Sequence, residues 1–351
     1  MRKIKVLVID DSALVREILA RGLALDREIE VVGVASDPYM ARDKIVRLKP
    51  DVLTLDVEMP KMDGVEFLRR LMPQYPLPVV MVSALTKKGA AITLAAMEAG
   101  AVDVVTKPST DIARGLNTML GELRAKVKIA AAVNVSAWKA NQKFSPRLVK
   151  MGNQALAEST DKVIAIGAST GGIQAIRRIV QCFPSTMPGV VIVQHMPAGF
   201  TRHFADNLNN ICEMEVKEAG TGDRVMPGRV LIAPGDCHMR VRRSGGYYLV
   251  DCKPGENVSG HCPSVDVLFQ SVAKYVGANA IGVILTGMGS DGADGMLAMR
   301  RAGARTIVQD EATSVVFGMP KVAYELGGAE FMLPLNSITN MISSLLAGSK
   351  V

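Results

Sequence analysis

No apolar run in this 351-residue chain approaches the roughly 20 residues needed to cross a bilayer as a helix. The N-terminus Met1-Arg2-Lys3-Ile4-Lys5-Val6 reaches the acidic pair Asp10-Asp11 too soon to hold a secretory signal, so a cytoplasmic location is expected. Cysteine is scarce: there are 5, an odd number, and none falls in a CxxC pair, which argues against a disulfide framework. Cys237-His238, Cys252 and His261-Cys262 match no common zinc spacing, so no metal is expected in the second half of the chain. Asp and Glu are missing altogether between Arg124 and Ala157. That stretch holds the cations Arg124, Lys126, Lys128, Lys139, Lys143, Arg147 and Lys150. The formal net charge is +7, so outside this stretch Lys and Arg balance the 34 acids. The excess therefore sits in one segment, which points to a solvated linker and away from a folded nucleic-acid-binding face. There is no internal repeat and no low-complexity run.

What is present is a chain long enough for two ordinary domains, with 48% hydrophobic residues. Over residues 1–123, five short apolar runs alternate with helical patterns: Val6–Ile9, Val31–Ala35, Val52–Leu55, Val79–Val82 and Val102–Val105. Leu14, Ile18, Leu19 and Leu23 share one helix face, and Asp37-Pro38 reads as an N-cap with proline at the first helical position. Such alternation predicts a doubly wound parallel sheet, and if its order is flavodoxin-like, the first and third strands are neighbours at the switch point. Chemistry-bearing residues then stand at the strand ends: Asp10 and Asp11, Asp56, Ser83, and Lys107. Three carboxylates in one crevice repel each other unless a hard cation joins them, and Mg²⁺ with oxygen ligands suits Asp10, Asp11 and Asp56. Asp56 is the candidate nucleophile for a phosphoryl group, with Ser83 and Lys107 holding its oxygens.

Residues 124–158 read as the basic linker, in which Trp138 and Phe144 pin the chain to a domain face or form a docking motif. From residue 159 the alternation resumes, predicting a second doubly wound, three-layer α/β domain to residue 351. Val163-Ile164-Ala165-Ile166 is a buried-strand pattern followed by Gly167-Ala168-Ser169-Thr170-Gly171-Gly172 and a helix over Ile173–Gln181. A sharp glycine-flanked turn at the carboxyl edge of a sheet can present Ser169 as a nucleophile; the same turn can instead cradle a phosphate. Val190–Val193 leads to His195, and Ala280–Leu285 leads to Thr286-Gly287-Met288-Gly289-Ser290-Asp291. A serine, a histidine and an aspartate thus each follow a strand, the constellation of a catalytic triad, with Asp294 and Asp310 as rivals of Asp291. His203, His238 and His261 are poorer candidates for the base. Val230–Ala233, His238–Arg242 and Tyr247–Val250 read as an antiparallel hairpin insertion around Ser244-Gly245-Gly246.

The motifs VIDDS, LDVEMPKMDG, VVMVSA and VTKP resemble the receiver domain of two-component response regulators over the whole first half. That likeness implies phosphorylation of Asp56 by a histidine kinase with Asp10 and Asp11 as Mg²⁺ partners. Where receivers often carry an aromatic switch residue, this chain has Val104. GASTGG, QHMPAGFT, LIAPGDCHM and LTGMGSDGADGM resemble the catalytic domain of the bacterial chemotaxis receptor methylesterases, over roughly residues 159–349. That resemblance implies hydrolysis of glutamate γ-methyl esters, and deamidation of certain glutamines, on chemoreceptors. A phosphoacceptor domain tethered to a domain with its own triad leads to a further expectation, that the unphosphorylated receiver covers the esterase crevice and phosphorylation at Asp56 loosens it. Ser169 would be the nucleophile, His195 the base and Asp291 its orienting carboxylate, with backbone N–H groups of Thr170 and Met288 as the oxyanion hole. No cofactor is expected in the esterase domain, and neither nucleic acid nor membrane insertion is expected. A response regulator whose second domain only binds a nucleotide or a partner is the competing reading.

Overall fold

The computed structural model describes residues 2–84, 87–108, 112–133 and 161–348. Trp138, Phe144 and most of the expected linker lie outside the described residues. The chain divides into two compact units, Met1–Gln142 and Lys143–Val351.

The first unit alternates strand and helix: β1 Ile4–Ile9, α1 Ala13–Ala24, β2 Ile29–Ala35, α2 Pro38–Leu48, β3 Val52–Asp56, α3 Gly64–Gln74, β4 Val79–Ala84, α4 Lys87–Glu98, β5 Asp103–Lys107 and α5 Ile112–Ala131. All pairings are parallel, in the order β2-β1-β3-β4-β5. The central strands are mostly apolar and buried, Thr54 of β3 included, because helices cover both faces of the sheet. The chain winds away from β1 in both directions, so β1 and β3 are neighbours, with Ile9 opposite Leu55. Asp10, one residue beyond β1, therefore stands beside Asp56. Asp37 caps α2 by accepting the Tyr39 and Met40 N–H groups, each at 3.0 Å.

One boundary differs from the sequence reading. Helix α5 continues past residue 123 to Ala131, so residues 124–131 are helical. Leu123, Val127 and Ala130 recur at helical spacing and are buried. The cations on this turn are also partnered: Lys126 pairs with Asp103 and Glu122, Lys128 with Asp26 and Glu28, and Arg124 donates to the Gly22 carbonyl.

The second unit is built on a seven-stranded parallel sheet in the order β15-β14-β13-β6-β7-β10-β8. Its strands are β6 Val163–Ala168, β7 Gly189–Gln194, β8 Glu215–Glu218, β10 Arg229–Ile232, β13 Ala280–Ile284, β14 Arg305–Gln309 and β15 Phe331–Leu333. Helices α6 Gly172–Val180, α7 Phe200–Asn209, α8 Val265–Tyr275, α9 Ala293–Arg301, α10 Met319–Glu325 and α11 Leu335–Leu346 connect or flank them. Every residue of β6 is buried, and β7 and β13 lie on either side of it.

The hairpin is narrower than expected. Strands β11 Cys237–Ser244 and β12 Tyr247–Pro254 pair antiparallel, with β9 Arg224–Val225 at the edge of β12. Val230–Ile232 instead belongs to the parallel sheet, between β7 and β8. The patterns explain the split: Val230, Leu231 and Ile232 are buried in succession, whereas β11 alternates buried Met239 and Val241 with exposed Arg240 and Arg242. The buried face of the hairpin packs on α8, where the Val241 N–H donates to Ser271 Oγ at 2.9 Å. No described helix is long and apolar enough to cross a membrane.

Val127→Asp is predicted to destabilise the first unit by about 3 kcal/mol or more, since it buries an unpaired charge. Chemical denaturation should register this loss; a solvated linker at 124–131 would leave the unit unaffected.

Candidate active site

The turn after β6 is made by close packing. Gly171 adopts φ 79, where a side chain is strained, and a Cβ there would stand 2.6 Å from the Val315 side chain. The Ser169 N–H donates to the Thr286 carbonyl at 3.0 Å, and its own carbonyl accepts from Gly172 N at 2.8 Å. Gly287 lies so near that a Cβ on it would meet Ser169 Cβ at 2.8 Å. The buried Thr286 hydroxyl donates to the Thr170 carbonyl at 2.9 Å and ties the loop after β13 to the serine turn.

His195 reaches the same edge from β7. Its N–H donates to the Ala168 carbonyl at 3.1 Å. Buried Gln194 spans both loops, donating from Nε2 to the carbonyls of Ser169, at 2.9 Å, and His195, at 3.2 Å. The His195 ring binds Asp291 Oδ2 through Nε2 at 2.7 Å. A carboxylate accepts, so Nε2 carries a proton, and in the neutral imidazole Nδ1 carries the lone pair. Nδ1 is buried and has no hydrogen-bond partner.

Asp291 is 1% exposed and accepts three further bonds from the start of α8. Ser264 Oγ donates to Oδ1 at 2.7 Å, Asp266 N to Oδ1 at 3.0 Å, and Val265 N to Oδ2 at 2.7 Å. Burial pushes this carboxyl up, but the His195 bond and the donors from α8 outweigh it and hold it below the ordinary carboxylate value. Asp266, also buried, goes the other way: burial raises it, and the charge of Asp291 adds to that. Of the rival acids, Asp294 is exposed and Asp310 is engaged with Thr313, at 2.6 Å from its hydroxyl.

Of the two backbone groups expected in an oxyanion hole, Thr170 is buried beside Ser169, and Met288 follows the Gly287 that packs on Ser169. The Met288 N–H donates to no group among the described residues.

Two histidines set aside on sequence grounds belong to this region. The His261 ring stacks on His195 with centroids 3.7 Å apart and planes 14° from parallel. It is carried by a tight turn in which Ser259 (φ 52) and Gly260 (φ 83) are both left-handed, anchored where Ser259 Oγ donates to Asp266 Oδ2 at 3.0 Å. Nothing in the spacing of the chain signals this stack, because it joins two loops that meet only in the fold. His238 is committed through both ring nitrogens, to Glu256 and Ser264, which removes it from any zinc grouping with its neighbouring cysteines. All five cysteines are free, and burial pushes Cys252 up to about 12 and Cys212 to about 11.

In the first unit, ligand atoms of Asp10, Asp11 and Asp56 lie within 4.8 Å of one another, the one such group among the described residues. Lys107 Nζ bridges Asp10 at 2.9 Å and Asp56 at 2.8 Å. Burial raises Asp56 to about 6 against the pull of Lys107. Burial also works against the Lys107 charge, but the two carboxylates prevail and hold it above its ordinary value. Ser83 is buried on β4, its hydroxyl accepting from Thr93 Oγ1 at 2.9 Å. Val104 is buried as well.

Comparison with known proteins agrees with both halves. A response regulator receiver domain model matches residues 6–134, and a CheB methylesterase model matches residues 164–342. A protein-glutamate methylesterase/protein-glutamine glutaminase of Syntrophotalea carbinolica is 70% identical over 351 residues, 100% of this chain and 99% of the relative. The Salmonella typhimurium protein of the same name is 51% identical over 352 residues, again 100% of this chain and 99% of the relative. The crystal structure of the Thermotoga maritima CheB methylesterase catalytic domain superposes with TM-score 0.51 at 38% identity, covering 52% of this chain and 98% of that one. Fold and site thus define a response regulator whose receiver is joined to an α/β carboxylic ester hydrolase. The chain belongs to the CheB methylesterase family.

The lowered pKa of Asp291 sets a pH dependence. Its folded value lies below the unfolded one, near 3.9. The stability it adds is therefore complete above that pH and is lost as pH falls through the folded value. Hydrogen exchange of the Val265 and Asp266 amides, corrected for intrinsic rates, should show protection falling over that acid range. An Asp291→Asn variant should lack this component.

Proposed function

We propose that the chain hydrolyses glutamate γ-methyl esters on methyl-accepting chemotaxis receptors, and deamidates specific glutamines there, under control of a histidine kinase that phosphorylates Asp56. The observation that carries this reading is the 2.7 Å bond from His195 Nε2 to Asp291, which leaves Nδ1 buried and unpartnered on a residue whose backbone N–H binds Ala168, next to Ser169. Ser169 Oγ attacks the ester carbonyl carbon while its proton passes to His195 Nδ1. The tetrahedral intermediate collapses to a glutamyl-serine ester, and the proton goes to the departing oxygen to give methanol. Water then attacks the acyl-enzyme, losing its proton to the same nitrogen, and the glutamate carboxylate leaves with Ser169 restored. With glutamine the leaving group is ammonia. Asp291 holds the Nε2–H tautomer throughout and stabilises the imidazolium. Backbone N–H groups of Thr170 and Met288 are assigned to the oxyanion; one such donor is worth about 10²–10³ in rate.

In the receiver, Asp56 is the phosphoacceptor, and Lys107 and Ser83 hold the phosphoryl oxygens. Asp10, Asp11 and Asp56 fit a hard divalent cation, since three carboxylates within 4.8 Å are only partly balanced by Lys107. Mg²⁺ bound there would neutralise charge on the phosphoryl group. Phosphorylation raises the esterase activity and so resets receptor methylation during adaptation, and the enzyme works in the cytoplasm. The domain limits adopted are residues 1–131 for the receiver and 159–351 for the esterase.

Ser169→Ala should reduce labelled-methanol release from methylated receptor membranes by roughly 10⁴-fold or more with the fold intact. Retention of that turnover would remove Ser169 as the nucleophile; no turnover even by the unaltered chain would leave a nucleotide-binding or interaction module. A small phosphodonor should raise methanol release by the intact chain and not by its Asp56→Asn variant; an equal response would remove Asp56 from the control of activity.

A further inference from the structure

His238, near the start of β11, is 2% exposed and has no place in the mechanism above. Its Nε2 meets the Glu256 carbonyl at 2.8 Å, and its Nδ1 meets the Ser264 N–H at 3.2 Å. A carbonyl can only accept and an amide N–H can only donate, so the ring is neutral with its proton on Nε2. Ser264 is the N-cap of α8 and is fully buried. The N–H of a capping residue has no partner inside its own helix, so the His238 lone pair is what satisfies it. The same residue places its hydroxyl on Asp291 Oδ1, and the next two N–H groups bind the two oxygens of that carboxylate.

We infer that His238 is a positioning residue for the Asp291 carboxylate, acting through Ser264. The inference rests on the reading of Asp291 as the group that orients His195. Without the acceptor, the Ser264 N–H is a buried orphan, and the turn relieves it by rotating towards another partner. Ser264 Oγ, Val265 N and Asp266 N sit on that one rigid turn, so the three donors move together. The carboxylate then shifts relative to His195, and the base loses its held tautomer. The hairpin thereby supports the site: Ser271 anchors it midway along α8, and His238 anchors it at the end that grips Asp291.

The test compares His238→Leu, which removes the acceptor, with His238→Asn, whose Oδ1 stands near the former Nδ1. Both are made in the full chain and assayed by methanol release from methylated receptor membranes. The leucine variant should lower kcat by about ten- to a hundred-fold with KM held within about two-fold. The asparagine variant should recover most of the loss. The low-field proton resonance of the His195–Asp291 bond should shift in the first and return in the second. Gly255→Ala provides a third variant that keeps the imidazole, because a Cβ there would stand 2.7 Å from His238 Cδ2 and displace the ring. It should show the same fall in kcat at unchanged KM, and it decides the matter if the leucine variant does not fold. Wild-type kcat and an unmoved resonance in the leucine or Gly255→Ala variant would overturn the inference. So would equal losses of activity and melting temperature in the leucine and asparagine variants, which would make His238 a packing residue. Failure of Ser169→Ala to stop turnover would instead overturn the underlying mechanism.

Discussion

The carboxylate of Asp291 is the point on which the hydrogen bonding of the second unit's candidate site depends. It is buried, and a buried charge is tolerated only when its lone pairs are met. Here four donors meet them: a hydroxyl and two amides from the first turn of α8, and the ring of His195. The open N-terminus of α8 supplies groups that every helix leaves unpaired, together with a favourable dipole. The same bonds that cap the helix therefore keep the acid ionised and aim it at the imidazole. Folding stability and the protonation pattern of the site are set by one set of contacts.

Around that point the structure holds its reactive groups by backbone more than by side chain. Ser169 and His195 are tied through Gln194 Nε2 and through the His195 N–H bond to Ala168, and the loop after β13 joins them through Thr286. Close approach at Gly287 seats that loop against Ser169, leaving no room for a side chain. The receiver follows the same logic with different groups. Strands β1 and β3 are neighbours at the point where the strand order reverses, and their ends bring three acids together beside Lys107. In both units the candidate site residues stand at the carboxyl edge of a parallel sheet.

Much of this was legible in the order of residues. Val163–Ile166 announces a buried parallel strand because both faces of such a strand meet helices and no polar residue interrupts it; Val52–Leu55 does so with one small polar residue, Thr54, in the run. Asp10, Asp56, Lys107, Ser169 and His195 could be placed at strand ends by counting from those runs. The hairpin was half legible. Alternation marked β11 and β12, but Val230–Ile232 is an unbroken apolar run that fits only the parallel sheet. Helix α5 ran beyond its expected end because Val127 and Ala130 continue a buried stripe amid lysines that look solvated along the chain and are ion-paired in space.

The sequence by itself determined the two α/β units and the residues at the strand ends, because hydrophobic periodicity and glycine placement are local properties. Only the tertiary structure decided which partners those residues meet. That Asp291, and neither Asp294 nor Asp310, binds His195 follows from α8 arriving with its free N–H groups at that carboxylate. That His261 stacks on His195 and His238 holds Ser264 follows from loops that meet only after the hairpin folds onto α8. Hydrogen bonds between residues far apart along the chain leave no periodic trace in it, so they exist as information only once the backbone has closed.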